Sequence, residues 1–341
     1  MTSPVLPDGK ARLSDVADMA GVSLATADRV INRRKGVKER TRRRVLEVAR
    51  EIGFISAEDA RLYGAERPLN VVVLLPAGTN PYLRLLGERV KERIGRSGVN
   101  DPFLRCFFIE SFSARALAEA LHKHAAWADG IVFFAIEHPE VRNAAAELLA
   151  AGTRLATIVS DLGPVPELRH LGLDNRSVGR TAGLLIGRLA KVSTGSVALV
   201  AGSRHYRAHS EREAGFLSIL EEMFPGLSVI GMREGHDDAS ENYRHALELL
   251  DQVPDLVGIY NVGGSSGGIT RAMREQGRES VIFVGHGLTD DTRRALLDGT
   301  MDAVFDQDPN VLIDRAIASL ADDLPRPKPM KLDIYFRENL P

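Results

Sequence analysis

The chain has 341 residues, of which 44% are hydrophobic and 26% are charged, so it is an ordinary globular protein long enough for two or three domains. Its formal net charge of −2 excludes a protein that binds polyanions through overall charge. A single cysteine, Cys106, excludes an intrachain disulfide. The apolar runs are strand-length and the first ten residues lack the apolar core of a signal peptide, so we expect a cytoplasmic protein with no membrane partner.

The first two predicted elements are short helices joined by a tight turn. We predict a helix over residues 15–20 with Ser14 as its N-cap, and a second over 24–32 with Ser23 as its N-cap. Gly21, between them, supplies the permissive backbone that such a turn needs. Two short helices in this arrangement are typical of a helix-turn-helix.

A third helix and a basic patch follow. Gly53 ends the helix, whose apolar residues at helical spacing are Val45, Leu46, Val48, Ala49 and Ile52. Residues 28–50 contain ten Lys or Arg against three acids, a local net charge of +7 in a chain that is otherwise acidic. Such a focused patch is typical of contact with nucleic acid phosphates.

Beyond the linker, short apolar runs alternate with amphipathic helical stretches to the end of the chain. The runs are 70–75, 103–109, 130–135, 154–159, 196–200, 228–231, 256–260, 281–284 and 303–305. The helical stretches are 83–96, 114–126, 140–151, 177–191, 211–223, 240–252, 269–276 and 290–298. This alternation predicts doubly wound parallel α/β sheets, and about 270 residues favour two lobes.

Polar residues follow several of these predicted strands. Ligands of open α/β sheets bind beyond the carboxyl ends of the strands, so these residues are candidates for binding a polyol through hydrogen bonds and ring packing. The candidates are Asn80, Tyr82, Asp161, Asn261, His286 and Gln307.

Two features of the sequence bear on catalysis and metal binding, namely a glycine-rich segment and the spacing of the histidines. Residues 264–268 satisfy the G-x-S-x-G pattern of a serine hydrolase, but the one histidine after Ser266 is His286 and no acid is well placed between them. We therefore expect a tight turn there. The histidines show no zinc-ligand spacing and no phosphate-binding lysine motif follows the glycines, so we expect no catalytic residues, no cofactor and no metal.

The N-terminal segment resembles the LacI/GalR family of bacterial transcription regulators. The matching residues are D-V-A-x-x-A-G-V-S-x-A-T-x-x-R-V-I-N at 15–32, G-V-K-x-x-T-R-x-R-V at 36–45 and I-G-F at 52–54. The resemblance implies an α/β protein with a small all-α DNA-binding head over 1–55, a hinge over 56–67 and an effector domain over 68–341 like periplasmic binding proteins of type I. Lobe 1 is expected at about 69–168 and 309–325, and lobe 2 at about 169–308 and 328–338.

The resemblance also implies a function: a homodimeric repressor that binds a pseudo-palindromic operator and is controlled by a small sugar-like effector between the lobes. It assigns ligand binding to Arg212, and it assigns DNA contact to Ser23, Leu24, Ala25, Thr26, Asp28, Arg29, Asn32, Arg40 and Thr41. A transport-associated sugar-binding protein and a serine hydrolase stay open as alternatives.

Three departures from the family and one charge cluster add further hypotheses. Ala27 replaces a larger apolar residue, and Asp28 either repels phosphate or accepts a hydrogen bond from cytosine N4. The hinge carries an acid pair and Tyr63 in place of a leucine. The segment 204–212 holds three arginines and two histidines, namely Arg204, His205, Arg207, His209 and Arg212, which predicts an anion site and an acidic or phosphorylated sugar effector.

Overall fold

A computed structural model describes residues 11–32, 34, 36–56, 68–96, 101–321 and 327–341. The chain divides into two compact units, the first ending at Pro68 and the second beginning at Leu69. Most of the predicted hinge, residues 57–67, lies outside the described residues, so its departures from the family stay predictions.

Among its described residues, the first unit contains three helices, α1 (Leu13–Ala20), α2 (Leu24–Ile31) and α3 (Glu39–Glu51). Gly21 turns the chain with a φ of 64°, and the Val22 amide donates to the Ala17 carbonyl at 3.0 Å. Buried residues from all three helices form one core, with Val16, Ala27 and Val45 fully inaccessible. The helix-turn-helix geometry thus follows from the turn and from this shared core.

The predicted N-cap of α1 was wrong, whereas that of α2 is confirmed. Ser14 lies inside α1, because the helix begins at Leu13 and not at residue 15 as predicted. Arg12 occupies the cap position, and its amide donates to Asp15 Oδ2 at 2.7 Å. Ser23 Oγ accepts a hydrogen bond from the Thr26 amide at 3.2 Å at the start of α2. Asp15, the third residue of α1, thus bonds back to the residue before the helix, as the third residue of a capping box does.

Lobe 1 of the second unit is a parallel sheet with helices packed on it. Its elements are β1 (Asn70–Pro76), α4 (Pro81–Gly95), β2 (Phe103–Ile109), α5 (Ala114–Ala125), β3 (Gly130–Phe133), α6 (Pro139–Ala150), β4 (Arg154–Ile158), β5 (Arg169–Leu171) and the returning helix α12 (Pro309–Ser319). The strand order is β2-β1-β3-β4-β5. The three central strands are almost wholly buried, as parallel strands covered on both faces require.

Lobe 2 repeats this plan with one added strand. Its elements are α7 (Asn175–Leu189), β6 (Gly195–Ala201), α8 (Arg207–Met223), β7 (Leu227–Glu234), α9 (Ala239–Gln252), β8 (Leu256–Asn261), α10 (Gly267–Glu275), β9 (Ile282–His286), α11 (Asp290–Leu297), β10 (Ala303–Asp306) and β11 (Asp333–Tyr335). The strand order is β11-β10-β9-β8-β6-β7, and β11 alone in this sheet is antiparallel to its neighbour. The predicted doubly wound fold is confirmed.

The chain crosses between lobes three times, as the resemblance implied. The first crossing comes one strand later than predicted, because β5 pairs in parallel with β4 in the lobe 1 sheet. The second crossing lies at Gln307 and Asp308, between β10 and α12, a helix that the apolar pattern did not single out. Within the described ranges, no helix is long and apolar enough to cross a membrane.

Candidate functional site

Helix α2 presents one buried and one exposed face. Ala27 and Val30 pack in the core of the first unit, whereas Leu24, with 56% of its surface exposed, lies with Ala25 and Arg29 on the outer side. The remaining predicted DNA-contact residues lie at the start of α2, at its end, and in the first turn of α3, and are Ser23, Thr26, Asp28, Asn32, Arg40 and Thr41. A short exposed helix of this kind can enter a major groove.

Asp28 has partners for both of its carboxylate oxygens. Asn32 Nδ2 donates to Oδ1 at 2.6 Å, and Arg34 Nη1 donates to Oδ2 at 3.2 Å. The pairing with Arg34 partly offsets the negative charge that sequence reasoning placed next to phosphate. Asp28 also ties the end of α2 to the chain that leaves it, which orients Asn32.

A cavity of about 50 Å³ lies between the two lobes, at the carboxyl ends of their central strands. Five of the seven predicted effector residues line it, and these are Asn80, Tyr82, Arg212, His286 and Gln307. Asn80 caps α4 by accepting from the amides of Tyr82 and Leu83. The rule that strand ends form the ligand site therefore located four of the lining residues, and the family resemblance located Arg212.

Asp161 and Asn261 do not line the cavity, and their side chains bond within their own loops, so their assignment to effector binding stays a prediction. Asp161 Oδ1 accepts from Thr157 Oγ1 and from the Leu162 amide, both at 2.8 Å, and stabilises its own loop. Asn261 is fully buried, and its Nδ2 donates to the Gly264 carbonyl and to Ser266 Oγ, both at 2.9 Å. Asn261 ends β8 and Asp161 lies three residues after β4, and each side chain bonds within the adjoining turn.

Ser266, the serine of the G-x-S-x-G segment, belongs to the turn that Asn261 holds. Its Oγ accepts a hydrogen bond from the Asn261 amide group. Gly263 and Gly264 in the same turn line the cavity. Among the described residues, no three His, Cys, Asp or Glu side chains converge on a point where a metal ion could bind.

Arg212 is a buried cation whose position two neighbours define. Nε donates to Asn175 Oδ1 at 2.8 Å, and Nη1 donates to the Val262 carbonyl at 2.7 Å. Burial lowers the pKa of the guanidinium, which nevertheless stays protonated in proteins. Arg212 can therefore direct a charged donor into the cavity from a fixed position.

The two cavity histidines are neutral near pH 7. Burial lowers the pKa of His209 to about 4, and its Nδ1 lies against the Ser203 backbone, 3.0 Å from the carbonyl oxygen and 3.4 Å from the amide nitrogen. Burial and the nearby Arg212 lower the pKa of His286 well below its ordinary value, and its Nε2 lies 2.8 Å from the Tyr260 hydroxyl. Arg212 is thus the one formal cation among the described lining residues.

Sequence reasoning missed Asp237, which joins the lobes. Its Oδ1 accepts from the Gly264 amide at 2.8 Å, and its Oδ2 accepts from Asn80 Nδ2 across the cleft at 3.0 Å. The missed signal was the length of β7, which extends to Glu234 rather than to residue 231, so that Asp237 is the residue that follows it closely. Phe134, Val159, Leu173 and Asp306 also line the cavity and were absent from the predicted site, and His209, predicted as part of an anion site, lines it as well.

The predicted anion site does not form. Arg204 pairs with Glu213 at 3.2 Å and Arg207 pairs with Glu211 at 2.8 Å, and neither arginine lines the cavity. Two carboxyl groups face the cavity instead, Asp237 and Asp306, and burial raises the pKa of Asp306 to about 7. The hypothesis of an acidic effector therefore loses the cations on which it depended.

A helix-turn-helix with an exposed second helix, followed by a two-lobed domain with a polar cleft, defines the class of transcription regulators whose DNA binding responds to a small ligand. Residues 12–56 match the bacterial regulatory proteins of the lacI family, and residues 71–324 match the periplasmic binding protein domain. The chain belongs to the LacI family of DNA-binding transcription regulators.

Relatives agree with this assignment. The HTH-type transcriptional repressor PurR of Mannheimia succiniciproducens is 24% identical over 249 residues, which is 70% of each chain. Catabolite control protein A of Streptococcus mutans is 36% identical over 85 residues, covering 25% of this chain and 26% of that protein. GanP, a glucose-galactose binding protein from Geobacillus stearothermophilus, shares the fold with a TM-score of 0.72 and 21% identity, covering 81% of this chain and all of that one.

Proposed function

We propose that the protein is a homodimeric repressor in which α2 reads each half of a pseudo-palindromic operator and a neutral sugar in the cleft controls DNA affinity. The observation that carries the DNA part is the exposed face of α2, where Leu24, Ala25 and Arg29 point away from the core that Ala27 and Val30 enter. Such a regulator acts where the DNA is, in the cytoplasm.

Each outward residue of α2 suits a particular contact. The Arg29 guanidinium can bond in bidentate fashion to a guanine, and the side chains of Leu24 and Ala25 suit thymine methyl groups. Arg40 and Thr41, in the first turn of α3, suit phosphates, as does the helix start at Ser23. Two-fold symmetry would place two such helices in successive major grooves.

The charge balance of the cleft favours a neutral effector with several hydroxyl groups. Arg212 can donate to a hydroxyl oxygen, and Asp237 and Asp306 can accept from hydroxyl groups. An anionic ligand would meet these two carboxyl groups at close range, which disfavours it. The glucose-galactose binding protein that shares the fold supports a sugar in this position.

The size of the cleft suggests how ligand binding could reach the DNA. A cavity of about 150 Å³ accommodates benzene, whereas the one between the lobes measures about 50 Å³. A sugar therefore requires the lobes to separate, which breaks the hydrogen bonds from Asn80 to Asp237 and from Tyr82 to the Gln307 carbonyl. A change of lobe angle would alter how the two DNA-binding heads of a dimer are held.

The test begins with an operator selected from random duplexes by the full chain, followed by fluorescence anisotropy with and without sugars. Arg29→Ala should weaken operator binding by about 1–3 kcal/mol and relax specificity at one position. Arg188→Ala removes the same charge from an exposed site of the second unit and should change nothing. If Arg29→Ala weakens binding to operator and to random DNA equally, Arg29 contacts only phosphate and its assignment as a base contact is wrong.

A further inference from the structure

The two walls of the cleft differ in chemistry. The lobe 1 side is lined by four buried side chains without polar atoms, namely Leu83, Phe134, Val159 and Leu173. The lobe 2 side carries the polar side chains His209, Arg212, Asp237, His286 and Asp306 together with Phe305, and Gln307 lines the cavity from the crossing between the lobes. A ligand between these walls meets hydrogen-bonding groups on one side and hydrocarbon on the other.

The two polar side chains that lobe 1 does contribute are already engaged. Asn80 Oδ1 accepts from the amides that begin α4, and Asn80 Nδ2 donates to Asp237. The Tyr82 hydroxyl donates to the Gln307 carbonyl at 3.2 Å. Both bonds are lost when the lobes separate, so Asn80 and Tyr82 then add two polar groups to an otherwise apolar wall. On the other side, the buried Gln307 Oε1 has no hydrogen-bond partner and can accept from a hydroxyl group.

Val159 in the apolar wall has an unfavourable backbone conformation. It follows β4 with a φ of 64°, in the left-handed region where a β-branched residue is a marked outlier. Conformations of this kind persist where the surrounding structure imposes them, and they cluster at ligand sites. Because Val159 keeps this unfavourable backbone conformation, we infer that its apolar side chain contacts the ligand.

We propose that the effector is a 6-deoxyhexose, a neutral sugar with a methyl group in place of one hydroxymethyl group. This inference rests on the proposed sugar-responsive function. The ring hydroxyls bond to lobe 2, and the methyl group and ring C–H groups pack on Val159, Phe134 and Leu173. The sixth hydroxyl of the parent hexose would lose its hydrogen bonds to water against this wall, which is unfavourable.

Titration calorimetry on the full chain, with sugar pairs that differ only in that hydroxyl, tests the proposal. The pairs are L-rhamnose with L-mannose, L-fucose with L-galactose, D-fucose with D-galactose, and D-quinovose with D-glucose. We expect the tightest ligand to be a 6-deoxy sugar, preferred over its partner by about tenfold to a hundredfold. This ratio is measured on the unaltered chain, so it does not depend on how any variant folds.

A matched pair of variants locates the preference. Val159→Thr keeps the β-branched shape and adds a hydroxyl, so it should reduce the preference for the 6-deoxy sugar severalfold. Val192→Thr makes the same change at an exposed site and should leave the ratio unaltered. A hexose that binds as tightly as its 6-deoxy partner, or more tightly, would overturn the inference and leave the sugar-effector proposal standing. If no sugar of the panel binds, the 6-deoxyhexose inference is wrong.

Discussion

Helices α7 and α8 touch backbone to backbone, and a single methyl group at that contact should disturb both stability and the effector site. A Cβ atom added at Gly179 would lie 2.0 Å from the Arg212 carbonyl oxygen, and one added at Gly215 would lie 2.0 Å from the Arg176 carbonyl oxygen. These atoms belong to the backbone and cannot rotate away. Gly179→Ala must therefore push the helices apart at the turn that carries Arg212.

The magnitude follows from two opposing terms. Overpacking a well-packed contact lowers the free energy of unfolding by about 1–3 kcal/mol. The greater helix propensity of Ala over Gly raises it by about 1 kcal/mol. Gly95→Ala, at the end of α4, isolates the second term, because no atom lies within 4 Å of the added Cβ. We expect Gly179→Ala to be less stable than Gly95→Ala by about 1–3 kcal/mol, and to bind the effector more weakly because Arg212 is displaced.

Urea denaturation of the two variants and of the unaltered protein measures the first effect. Calorimetry with the tightest-binding sugar measures the second. If Gly179→Ala is as stable as Gly95→Ala, the close approach of the two helices is not maintained in solution and the reasoning fails. If stability falls while sugar affinity is unchanged, the link from this contact to Arg212 is wrong.

Three further predictions concern a cap, a histidine and the buried arginine. Ser23→Ala should lower the stability of α2 by about 1 kcal/mol, measured as faster hydrogen exchange in that helix. Ser14→Ala, inside α1, should leave stability unchanged or raise it. Equal losses of stability in the two variants would contradict the cap positions. Because the pKa of His209 falls to about 4 on folding, the unfolded chain binds a proton that the folded chain does not, so stability should fall between pH 6.5 and 4 by up to about 1.4 kcal/mol per pH unit. Asp306, whose pKa is raised, contributes in the opposite direction, but this contribution is common to the wild type and to His209→Gln. The difference between the urea midpoints of the two proteins should therefore shrink as the pH falls. A constant difference would refute the lowered pKa of His209. Arg212→Lys should abolish the effect of sugar on operator binding in anisotropy titrations but preserve DNA affinity without sugar; an unchanged sugar response would remove Arg212 from the site.

Local chemistry let the sequence determine much of this protein. Ser23 as a cap, the turn at Gly21 and the apolar spacing of α3 depend on contacts within a few residues, so their pattern is visible in the chain. The alternation of strands and helices likewise determined the doubly wound fold, and strand ends located Asn80 and Gln307 in the cleft.

Tertiary structure alone decided which strand-end side chains line the cavity. Asp161 and Asn261 follow strands as the lining residues do, but each turns back to its own loop, whereas Asp237 crosses to Asn80 from a strand that proved longer than its apolar run. The strained Val159 and the contact at Gly179 likewise depend on residues far away in the sequence. Such positions are set by the packing of two lobes and of neighbouring helices, and no local pattern of residue types encodes those distances.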